Sequence, residues 1–474
     1  MTRLTPILRL LVGCMAPVLA ASLAFAADSP KSARRLNVLF IISDDLRPEL
    51  GCYGVDGIKT PNIDALAAQS VLFSRAYAQY PLCNPSRTSM LTGRYPTTTG
   101  VLNNDTWFGA NHPDWKTLPR WFKDHGYNVV RSGKVFHGGI DDEEAWTEGG
   151  EKRRFVGAVR TRSGGPGRKS DLELGTPVVL PGNGEEHQDF RSTSAAIDSL
   201  RKLKEQDESF FLTLGLFEPH NPPAAPQRFF DQYIPEHIPL PVDFGPRPAA
   251  PEGFPKLSVR ERNSDLFIGR DASEDEARLV KRGYWAAISY MDAQVGRIMG
   301  ELDRLGLREN TVVVFWGDHG YHLGEKGKWS KANSLFEVGT RVPLLISAPG
   351  FMGNGHSCDR IVESVDIYPT LVDLCGLSLP RGIEGKSLRT LLADPMAEWH
   401  RSAYSFTVIE GAFGRAVRTD RWRYAEWDEG EKGAMLFDHR ADPNELKNIA
   451  LNPAHAKTVA ELKSLLTRFP DRSR

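Results

Sequence analysis

Residues 81–94, with the sequence PLCNPSRTSMLTGR, combine a cysteine with the features of a helix start. Pro85 suits the first helical turn, because its missing N–H is not needed there, and Gly93 can end the helix. Cys83 is therefore predicted to lie at a helix N-terminus, where the free N–H groups and the helix dipole favour a bound anion. Arg87, one turn further on, can add a charged fork for that anion. The alternative for such a cysteine is a packing or capping role.

Acidic side chains follow two of the predicted strands. Residues 37–43 and 311–316 are short apolar runs rich in branched residues, which is typical of strands buried on both faces of a parallel sheet. They are followed by Asp44 and Asp45 in the first case, and by Asp318 and His319 in the second. Because ligands gather outside the carboxyl ends of such strands, and carboxylates prefer hard cations, this pattern favours a calcium or magnesium site. The alternative is that these residues form turns or cap helices.

Basic side chains follow other predicted elements. Lys134 and His137 come after a predicted strand at residues 127–130, and His220 comes after a strand at residues 210–217. Lys331 lies in a loop after the strand at residues 311–316. Each could be a solvated loop residue, or could bind an anionic substrate at the edge that carries the acids.

The composition excludes some classes of function. The chain has 474 residues and a formal net charge of -1, so no overall field would hold it on nucleic acid or on an acidic membrane. Its length allows two or three domains. The sequence contains no nucleotide-binding glycine motif, no zinc-type cysteine cluster and no internal repeat.

The N-terminal segment, residues 1–27, is predicted to be a secretory signal peptide. Arg3 and Arg9 precede an apolar run at residues 10–24, and small residues follow it. The run is shorter than the roughly 20 residues that span a bilayer, so we expect export to the periplasm or the medium without stable membrane insertion. A lipoprotein processing box ending at Cys14 is the alternative.

Four cysteines remain after such cleavage, namely Cys52, Cys83, Cys358 and Cys375. If Cys83 carries chemistry, the other three cannot all pair within one chain. A bridge between Cys358 and Cys375 stays open, but the spacing is not that of a disulfide scaffold.

The remaining patterns predict helices between the strands. A helix beginning at Pro61 has its apolar positions on one face up to Val71, and a long helix near residues 274–305 places Met291 and Met299 on a buried face. Further helices are predicted at residues 117–124, 187–204 and 453–466. Lys326 and Lys328 are expected to be exposed.

Residues 151–170 are poor in apolar side chains and rich in Lys and Arg, with Glu151 as the acid at their start. A solvated loop is one interpretation. The other is a rim that attracts sulfated or carboxylated sugar chains, which salt would weaken.

The pattern Cys-x-Pro-Ser-Arg at residues 83–87 resembles the signature of the type I, formylglycine-dependent sulfatases of the alkaline phosphatase superfamily. The Gly-Lys-x-x-His spacing at residues 133–137 is most similar to the iduronate-2-sulfatase-like group. The resemblance implies an α/β fold in which helices flank a large mixed, mostly parallel sheet, with a small C-terminal α+β subdomain. It also implies a catalytic domain at residues 28–400 and a subdomain at residues 401–474.

The same resemblance implies a role for each candidate residue. Cys83 would be oxidised to formylglycine, whose hydrate attacks sulfur. One divalent cation, calcium with magnesium as the alternative, would be held by Asp44, Asp45, Cys83, Asp318 and His319, the last as a direct ligand or an outer one. The remaining roles would be sulfonyl binding by Arg87 and Lys134, a proton or charge for the leaving oxygen from His220 or Lys331, and proton removal by His137.

The function implied is hydrolysis of sulfate esters on a sulfated sugar or a glycosaminoglycan-like polysaccharide. The partners implied are that carbohydrate and a formylglycine-generating enzyme. Two alternatives remain at this point: a phosphodiesterase or phosphonate monoester hydrolase of the same superfamily, and a non-catalytic sulfated-glycan binder that uses residues 151–170. The sequence does not identify the sugar, the position of its sulfate or the oligomeric state.

Overall fold

The computed structural model describes residues 35–155, 157–160, 176–260, 265–267 and 269–469. The predicted signal peptide, with Cys14, lies outside these residues, and so does much of the basic segment at 151–170. Within the described part of the chain, no helix is both long and apolar enough to cross a membrane.

The strands and helices alternate along most of the chain. The strands are β1 (Asn37–Ser43), β2 (Val71–Tyr77), β3 (Asn128–Gly133), β4 (Val178–Leu180), β5 (Phe210–Leu216), β6 (Ala224–Pro226), β7 (Thr311–Gly317), β8 (Arg341–Val342), β9 (Leu344–Ser347), β10 (Ser357–Glu363), β11 (Ala403–Ile409), β12 (Ala412–Arg418), β13 (Trp422–Trp427) and β14 (Ala434–Asp438). The helices are α1 (Pro61–Ala67), α2 (Cys83–Thr92), α3 (Pro96–Thr99), α4 (Leu118–Asp124), α5 (Gln188–Gln206), α6 (Gln227–Phe230), α7 (Glu274–Arg304), α8 (Glu337–Thr340), α9 (Ile367–Leu374), α10 (Arg389–Ala393) and α11 (Ala456–Leu466).

The large sheet has the strand order β10-β2-β9-β7-β1-β5-β3, with β8 paired to β2. The neighbours β7, β1, β5 and β3 run parallel, whereas β9 is antiparallel to both β7 and β2. In register, Ser43 lies opposite Gly317 on one side and Leu216 on the other, and Gly133 lies opposite Gly215. The last residues of these parallel strands therefore meet at one edge, as the sequence predicts.

Helices cover both faces of this sheet. Alternate side chains of β1 enter two different hydrophobic clusters: Leu39 and Ile41 face one, and Phe40 and Ile42 face the other. This division explains why residues 38–42 of β1 are all apolar instead of alternating with polar residues, since the strand is buried on both faces.

The long helix α7 packs on the face that Leu39 lines. It begins with a capping box, in which Ser273 and Glu276 each accept an N–H of the other, and its predicted core residues Met291 and Met299 are buried. The α/β prediction, with helices flanking a large mixed sheet, is confirmed.

The prediction for Val71 is wrong. Helix α1 ends at Ala67, and Val71 instead opens β2, where it pairs with Ile346 of β9. Val71 stands four residues after Ala67, so it continues the helical spacing by position alone, although the chain has already turned into the sheet.

A second, antiparallel sheet with the order β11-β12-β13-β14 follows, and α11 packs against it. The small C-terminal α+β subdomain that the resemblance implies is confirmed by this sheet and helix. The placing of a domain boundary at residue 400 remains a prediction. All four described cysteines are free thiols, so Cys358 and Cys375 are not bridged.

Candidate active site

Four of the predicted site residues directly follow parallel strands at the aligned edge of the large sheet. Asp44 and Asp45 follow β1, Asp318 follows β7, and Lys134 follows β3. Two backbone hydrogen bonds continue the ladder past the strand ends, from Asp318 N–H to the Ser43 carbonyl (3.2 Å) and from Lys134 N–H to the Gly215 carbonyl (2.9 Å). The sheet itself therefore brings together charged residues that are far apart in sequence.

Cys83 is the first residue of α2, and Gly93 ends that helix in the left-handed region at φ 64°. Both predictions for this segment are confirmed. The expectation of free N–H groups at the helix start needs a correction, because the Asn84 N–H donates to Asn104 Oδ1 at 3.0 Å. That donor is satisfied within the protein and is not available to a bound anion.

The Cys83 side chain lies among acids and a histidine. Its Sγ is 3.4 Å from Asp44 Oδ1 and 3.3 Å from His319 Nε2. Ligand atoms of Asp44, Asp45, Cys83 and His319 all lie within 4.8 Å of one another, and all four residues are buried. The Asp318 carboxylate adjoins this group, with Oδ2 3.5 Å from His319 Nε2.

The three acids are each paired with a cation of the protein. Lys134 Nζ contacts Asp44, Lys331 Nζ is 2.8 and 2.7 Å from the two oxygens of Asp45, and Arg87 Nε is 2.9 Å from Asp318 Oδ2. Repulsion among the carboxylates therefore does not by itself require a metal, although three acids at one edge of the sheet suggest that it would.

The nearby cations outweigh the effect of burial on the pKa of Asp44 but not on the pKa of Asp318. Burial acts to raise the pKa of Asp44, but Lys134, His220 and Arg87 more than compensate and hold that pKa well below its usual value. Burial raises the pKa of Asp318, in spite of the nearby His319 and Arg87.

The orientation of His319 is the observation that fits a cation. His319 Nδ1 lies 3.1 Å from the Gly320 carbonyl, which can only accept, so Nδ1 donates to it and Nε2 is the ring nitrogen left to bind a cation. Nε2 lies 3.5 Å from both Asp45 Oδ1 and Asp318 Oδ2. A ring nitrogen and two carboxylates therefore face one another, and the other ring nitrogen is held by a backbone carbonyl, as is usual for a histidine that binds a metal.

The Cys83 thiol is poorly suited to act as a nucleophile itself. Burial raises its pKa, and the adjacent Asp44 raises it further, while Lys331 and Lys134 only partly oppose this. Because the thiolate is the reactive form of cysteine, the unmodified side chain is inert near neutral pH.

Arg87 is fully buried, and most of its donors are occupied. Besides the bond to Asp318, its Nη1 donates to the carbonyls of Lys134 (2.7 Å) and Val135 (3.1 Å). Its Nη2 makes no hydrogen bond with any described residue and lies 3.4 Å from Asp44 Oδ1. Only Nη2 is left for the predicted contact with a sulfonyl oxygen.

His137 and His220 line one cavity together with Lys134. Burial lowers the pKa of His137 to about 3, and Lys134 contributes to this shift. Burial also lowers the pKa of His220 to about 4, with Lys331 as the next cause. Both imidazoles are neutral at pH 7. His220 Nδ1 faces the Asn221 carbonyl at 2.9 Å, so its lone pair is on Nε2, 4.0 Å from Asp45 Oδ2.

Lys326 and Lys328 are buried, so the prediction that they are exposed is wrong. Lys326 Nζ pairs with Asp243 Oδ2 at 2.8 Å, and Lys328 Nζ donates to the Ala332 carbonyl at 2.6 Å. Burial lowers the pKa of Lys328 to about 7. Asp243 is distant in sequence, so no local pattern could have indicated the partner that makes burial of Lys326 tolerable.

A buried ion-pair network supports the loop that follows Asp45. Arg47 Nε lies 2.7 Å from Glu49 Oε2, and Nζ of Lys281 in α7 lies 3.1 Å from Glu49 Oε1. Trp285 Nε1 also donates to Glu49 at 3.0 Å. The network ties the loop after Asp45 to the long helix, and no local sequence pattern indicates it.

The Glu49→Gln variant should lose stability in a pH-dependent way. Although burial opposes it, the contacts with Arg47 and Lys281 lower the pKa of Glu49 from 4.5 to about 2. A carboxyl group whose pKa is lower in the folded state stabilises the fold at pH values above its pKa in the unfolded state. This stabilisation is lost as the pH falls through the pKa of the folded state. For Glu49 it amounts to about 3 kcal/mol at pH 7. Urea unfolding should therefore give a deficit of about 3 kcal/mol at pH 7 and less than half of that at pH 3.

The exposed Glu236 provides the control for this experiment, since Glu236→Gln should change the unfolding free energy by no more than about 0.5 kcal/mol at either pH. Equal deficits for Glu49→Gln at pH 7 and pH 3 would contradict the assignment of a depressed pKa.

Comparisons with known proteins agree with this geometry. The family model described as Sulfatase matches residues 36–377, and the model described as N-sulphoglucosamine sulphohydrolase, C-terminal, matches residues 324–471. The chain is 34% identical to iduronate 2-sulfatase of Homo sapiens, covering 83% of this chain and 85% of that protein. It is 30% identical to an ulvan-active sulfatase of Formosa agariphila, covering 91% of this chain and 80% of that protein.

A solved phosphonate monoester hydrolase from Silicibacter pomeroyi has the same fold, with a TM-score of 0.73 at 23% identity. The match covers 93% of this chain and 96% of that one.

Proposed function

The chain belongs to the sulfatase family and is a sulfuric ester hydrolase, and from this premise we propose that it removes sulfate from a sulfated sugar or a glycosaminoglycan-like polysaccharide. The observation that carries the proposal is the group formed by Cys83, Asp44, Asp45 and His319, with ligand atoms within 4.8 Å, between the half-buried Lys134 and the buried Lys331. The printed names of two relatives, iduronate 2-sulfatase and ulvan-active sulfatase, support a carbohydrate substrate.

Residue 83 is proposed to act as formylglycine, the oxidised cysteine typical of the family. The modification replaces a buried, protonated thiol with a hydrated aldehyde, which places a hydroxyl among the acids. A maturation enzyme must supply this change. In the unmodified structure, Cys83 Sγ stands in for the hydroxyl oxygen, 3.4 Å from Asp44 and 3.3 Å from His319.

The residues around Cys83 fit one divalent cation, with Asp44, Asp45, Asp318 and His319 as protein ligands beside residue 83. Such a cation would lower the pKa of a hydroxyl at residue 83 and stabilise negative charge on the ester oxygens. The oxygen-rich donor set favours calcium, with magnesium as the alternative. The position of His319 Nε2, 3.5 Å from oxygens of Asp45 and Asp318, supports a direct role for that residue.

We assign the remaining catalytic roles according to which side chains are charged and which are neutral. Lys134, which lines the cavity, binds the sulfonyl oxygens, and the free Nη2 of Arg87 assists it while its other donors orient Asp318. Neutral His137 accepts a proton from a hydroxyl of residue 83. Neutral His220 has no proton on Nε2, so Lys331 is the better donor of charge to the leaving oxygen.

Cation binding is expected to be measurable without any activity assay. At about 100 times its dissociation constant, a calcium ion should stabilise the fold by about 2.7 kcal/mol, which corresponds to about 3 °C in melting temperature for a chain of this size. The Asp45→Asn variant should lose most of this shift.

A second group of acids and a histidine provides the control for cation binding. In the group Glu337, His439 and Glu445, both acids already pair with Arg423, so His439→Ala should keep the calcium-dependent shift. If neither calcium nor magnesium changes the melting temperature, the proposed metal site is wrong.

The phosphorus alternative can be tested directly. The fold similarity to phosphonate monoester hydrolases motivates paired assays with an aryl sulfate, an aryl phosphate diester and a panel of sulfated saccharides. We expect sulfate release from saccharides to have the highest kcat/KM. A higher kcat/KM for the phosphate diester would overturn the proposal. The non-catalytic binder is set aside, because the family and the named relatives are enzymes.

We also propose export of the protein, on the basis of residues 1–27. Determination of the mature N-terminus from the periplasmic or secreted fraction would test this, and an N-terminus that retains residues 1–27 would contradict it.

A further inference from the structure

A cavity of about 560 Å³ opens beside the proposed sulfate-binding residues. Lys134, His137 and His220 line one part of it, and its wall continues to Arg154 on the far side of the turn that follows His137. Its volume is in the range of small-molecule sites, so it can hold more of a substrate than the sulfate ester alone.

Most charged groups in this wall already have partners. Lys134 pairs with Asp44, and Arg131 pairs with Asp141 at 2.6 Å and with Glu151 at 3.1 Å. The cations Lys134 and Arg131 are therefore neutralised locally, and so is the acid Glu151.

The remaining acid of the wall is also satisfied. The two carboxylate oxygens of Asp189 accept the N–H groups of Phe217 (2.7 Å) and Glu218 (3.0 Å). Among the described residues, the guanidinium of Arg154 has no hydrogen-bond or ion-pair partner, and its side chain is exposed to the cavity.

The backbone holds Arg154 in this position. Its N–H donates to the Gly139 carbonyl at 3.1 Å, and its side chain passes directly over Gly139. A Cβ at residue 139 would lie 3.3 Å from Arg154 Cδ, and φ there is +80°, so this close approach depends on glycine. Arg160 flanks the same turn but pairs with Asp105 at 2.9 Å, which leaves Arg154 as the unpaired member of the two.

A free guanidinium beside a sulfate-ester site selects for a second anion. Its planar fork can bind two oxygens of one carboxylate or one sulfate. Arg154 also lines the same cavity as Lys134, which a merely solvated surface arginine has no reason to do. We propose that Arg154 binds a second anionic group, a carboxylate or a further sulfate, on the saccharide whose sulfate ester lies at Lys134. This inference rests on the proposed function, and it narrows the substrate to sugars that carry two anionic groups.

The test uses matured protein and matched disaccharides. One disaccharide carries a sulfate ester and a uronate carboxylate, a second is its methyl ester, a third has a second sulfate in place of the carboxylate, and an aryl sulfate serves as reference. For Arg154→Ala, KM should rise about three- to tenfold for the two dianionic disaccharides, with kcat nearly unchanged. For the methyl ester and the aryl sulfate, KM should not change.

Arg153→Ala is the matched control. Arg153 lies over the Trp107 ring at 4.8 Å and does not line this cavity, so its loss should leave all four KM values unchanged. Arg154→Lys should show an intermediate KM, and higher ionic strength should reduce the preference of the wild type for dianionic substrates.

The outcomes distinguish this inference from the proposed function. Equal KM changes for the uronate and its methyl ester, or no KM change for either of the two dianionic disaccharides, would overturn the role of Arg154 while the wild type still acts on saccharides. A wild type that cleaves the aryl sulfate but no saccharide would overturn the proposed substrate class and, with it, this inference. A KM effect with only one of the two dianionic disaccharides identifies the second anion as that group.

Discussion

The Cys83→Ala variant is expected to fold like the wild type and to lose at least about 10⁴-fold in kcat/KM for sulfate esters. Alanine cannot be converted to formylglycine, and it removes the atom that lies 3.4 Å from Asp44 and 3.3 Å from His319. The rest of the site would stay in place, because Arg87 and the strand ends hold the acids independently of residue 83. Sulfate release should be followed by ion chromatography, together with thermal unfolding.

Cys358→Ala is the matched control for this variant. Cys358 is also fully buried, but it lies in β10, with its Sγ 3.3 Å from the Pro395 carbonyl. Both substitutions remove one buried sulfur and should each cost about 1 kcal/mol in stability, whereas only the Cys83 variant should be inactive. Comparable activity in the two variants would exclude residue 83 as the nucleophile.

The Lys331→Ala variant should have the second largest effect, a loss of about 10²- to 10³-fold in kcat. Lys331 Nζ contacts both oxygens of Asp45, and its side chain is largely buried. Its removal leaves Asp45 without its cation and takes away the ammonium proposed to face the leaving oxygen. Aryl sulfates with leaving groups of different pKa should reveal this role, because the loss should be greatest for the most basic leaving groups.

Lys328→Met provides a comparison three positions earlier. Lys328 is also buried, but its Nζ donates to the Ala332 carbonyl and makes no contact with the acids. Its loss should affect stability and leave kcat within a few-fold of the wild type. If the loss for Lys331→Ala is the same for all leaving groups, Lys331 orients Asp45 and does not serve the leaving oxygen.

The parts of the fold that local patterns encode were predictable. Strands β1 and β7 are uninterrupted apolar runs because both faces are buried, and the charged residues that end them point to the edge where a site forms. The start of α2 at Cys83 and its end at Gly93 follow from the same local rules.

Features that depend on distant partners were not predictable. The burial of Lys326 depends on its ion pair with Asp243, and the Asn84 N–H is satisfied by a hydrogen bond to the side chain of Asn104. Val71 has helical spacing but belongs to a strand, since the pairing of β2 with β9 decides its conformation. In each case the deciding contact joins segments whose proximity only the tertiary structure reveals.

The site also changes the argument for a metal. Three acids after the ends of neighbouring strands suggest that their repulsion demands a cation, yet Lys134, Lys331 and Arg87 already balance their charge. What favours a cation is therefore the position of His319 Nε2 among the acids, with Nδ1 on a backbone carbonyl, together with the donor set around residue 83.

The most direct test of the central claim compares the state of residue 83 with activity. Preparations expressed with and without a formylglycine-generating enzyme should be analysed by mass spectrometry of the tryptic peptide at residues 76–87, and sulfate release should be measured on the same samples. The account predicts that specific activity is proportional to the fraction of residue 83 present as formylglycine and is zero for the thiol. Full activity in a preparation that contains only the unmodified Cys83 thiol would contradict it.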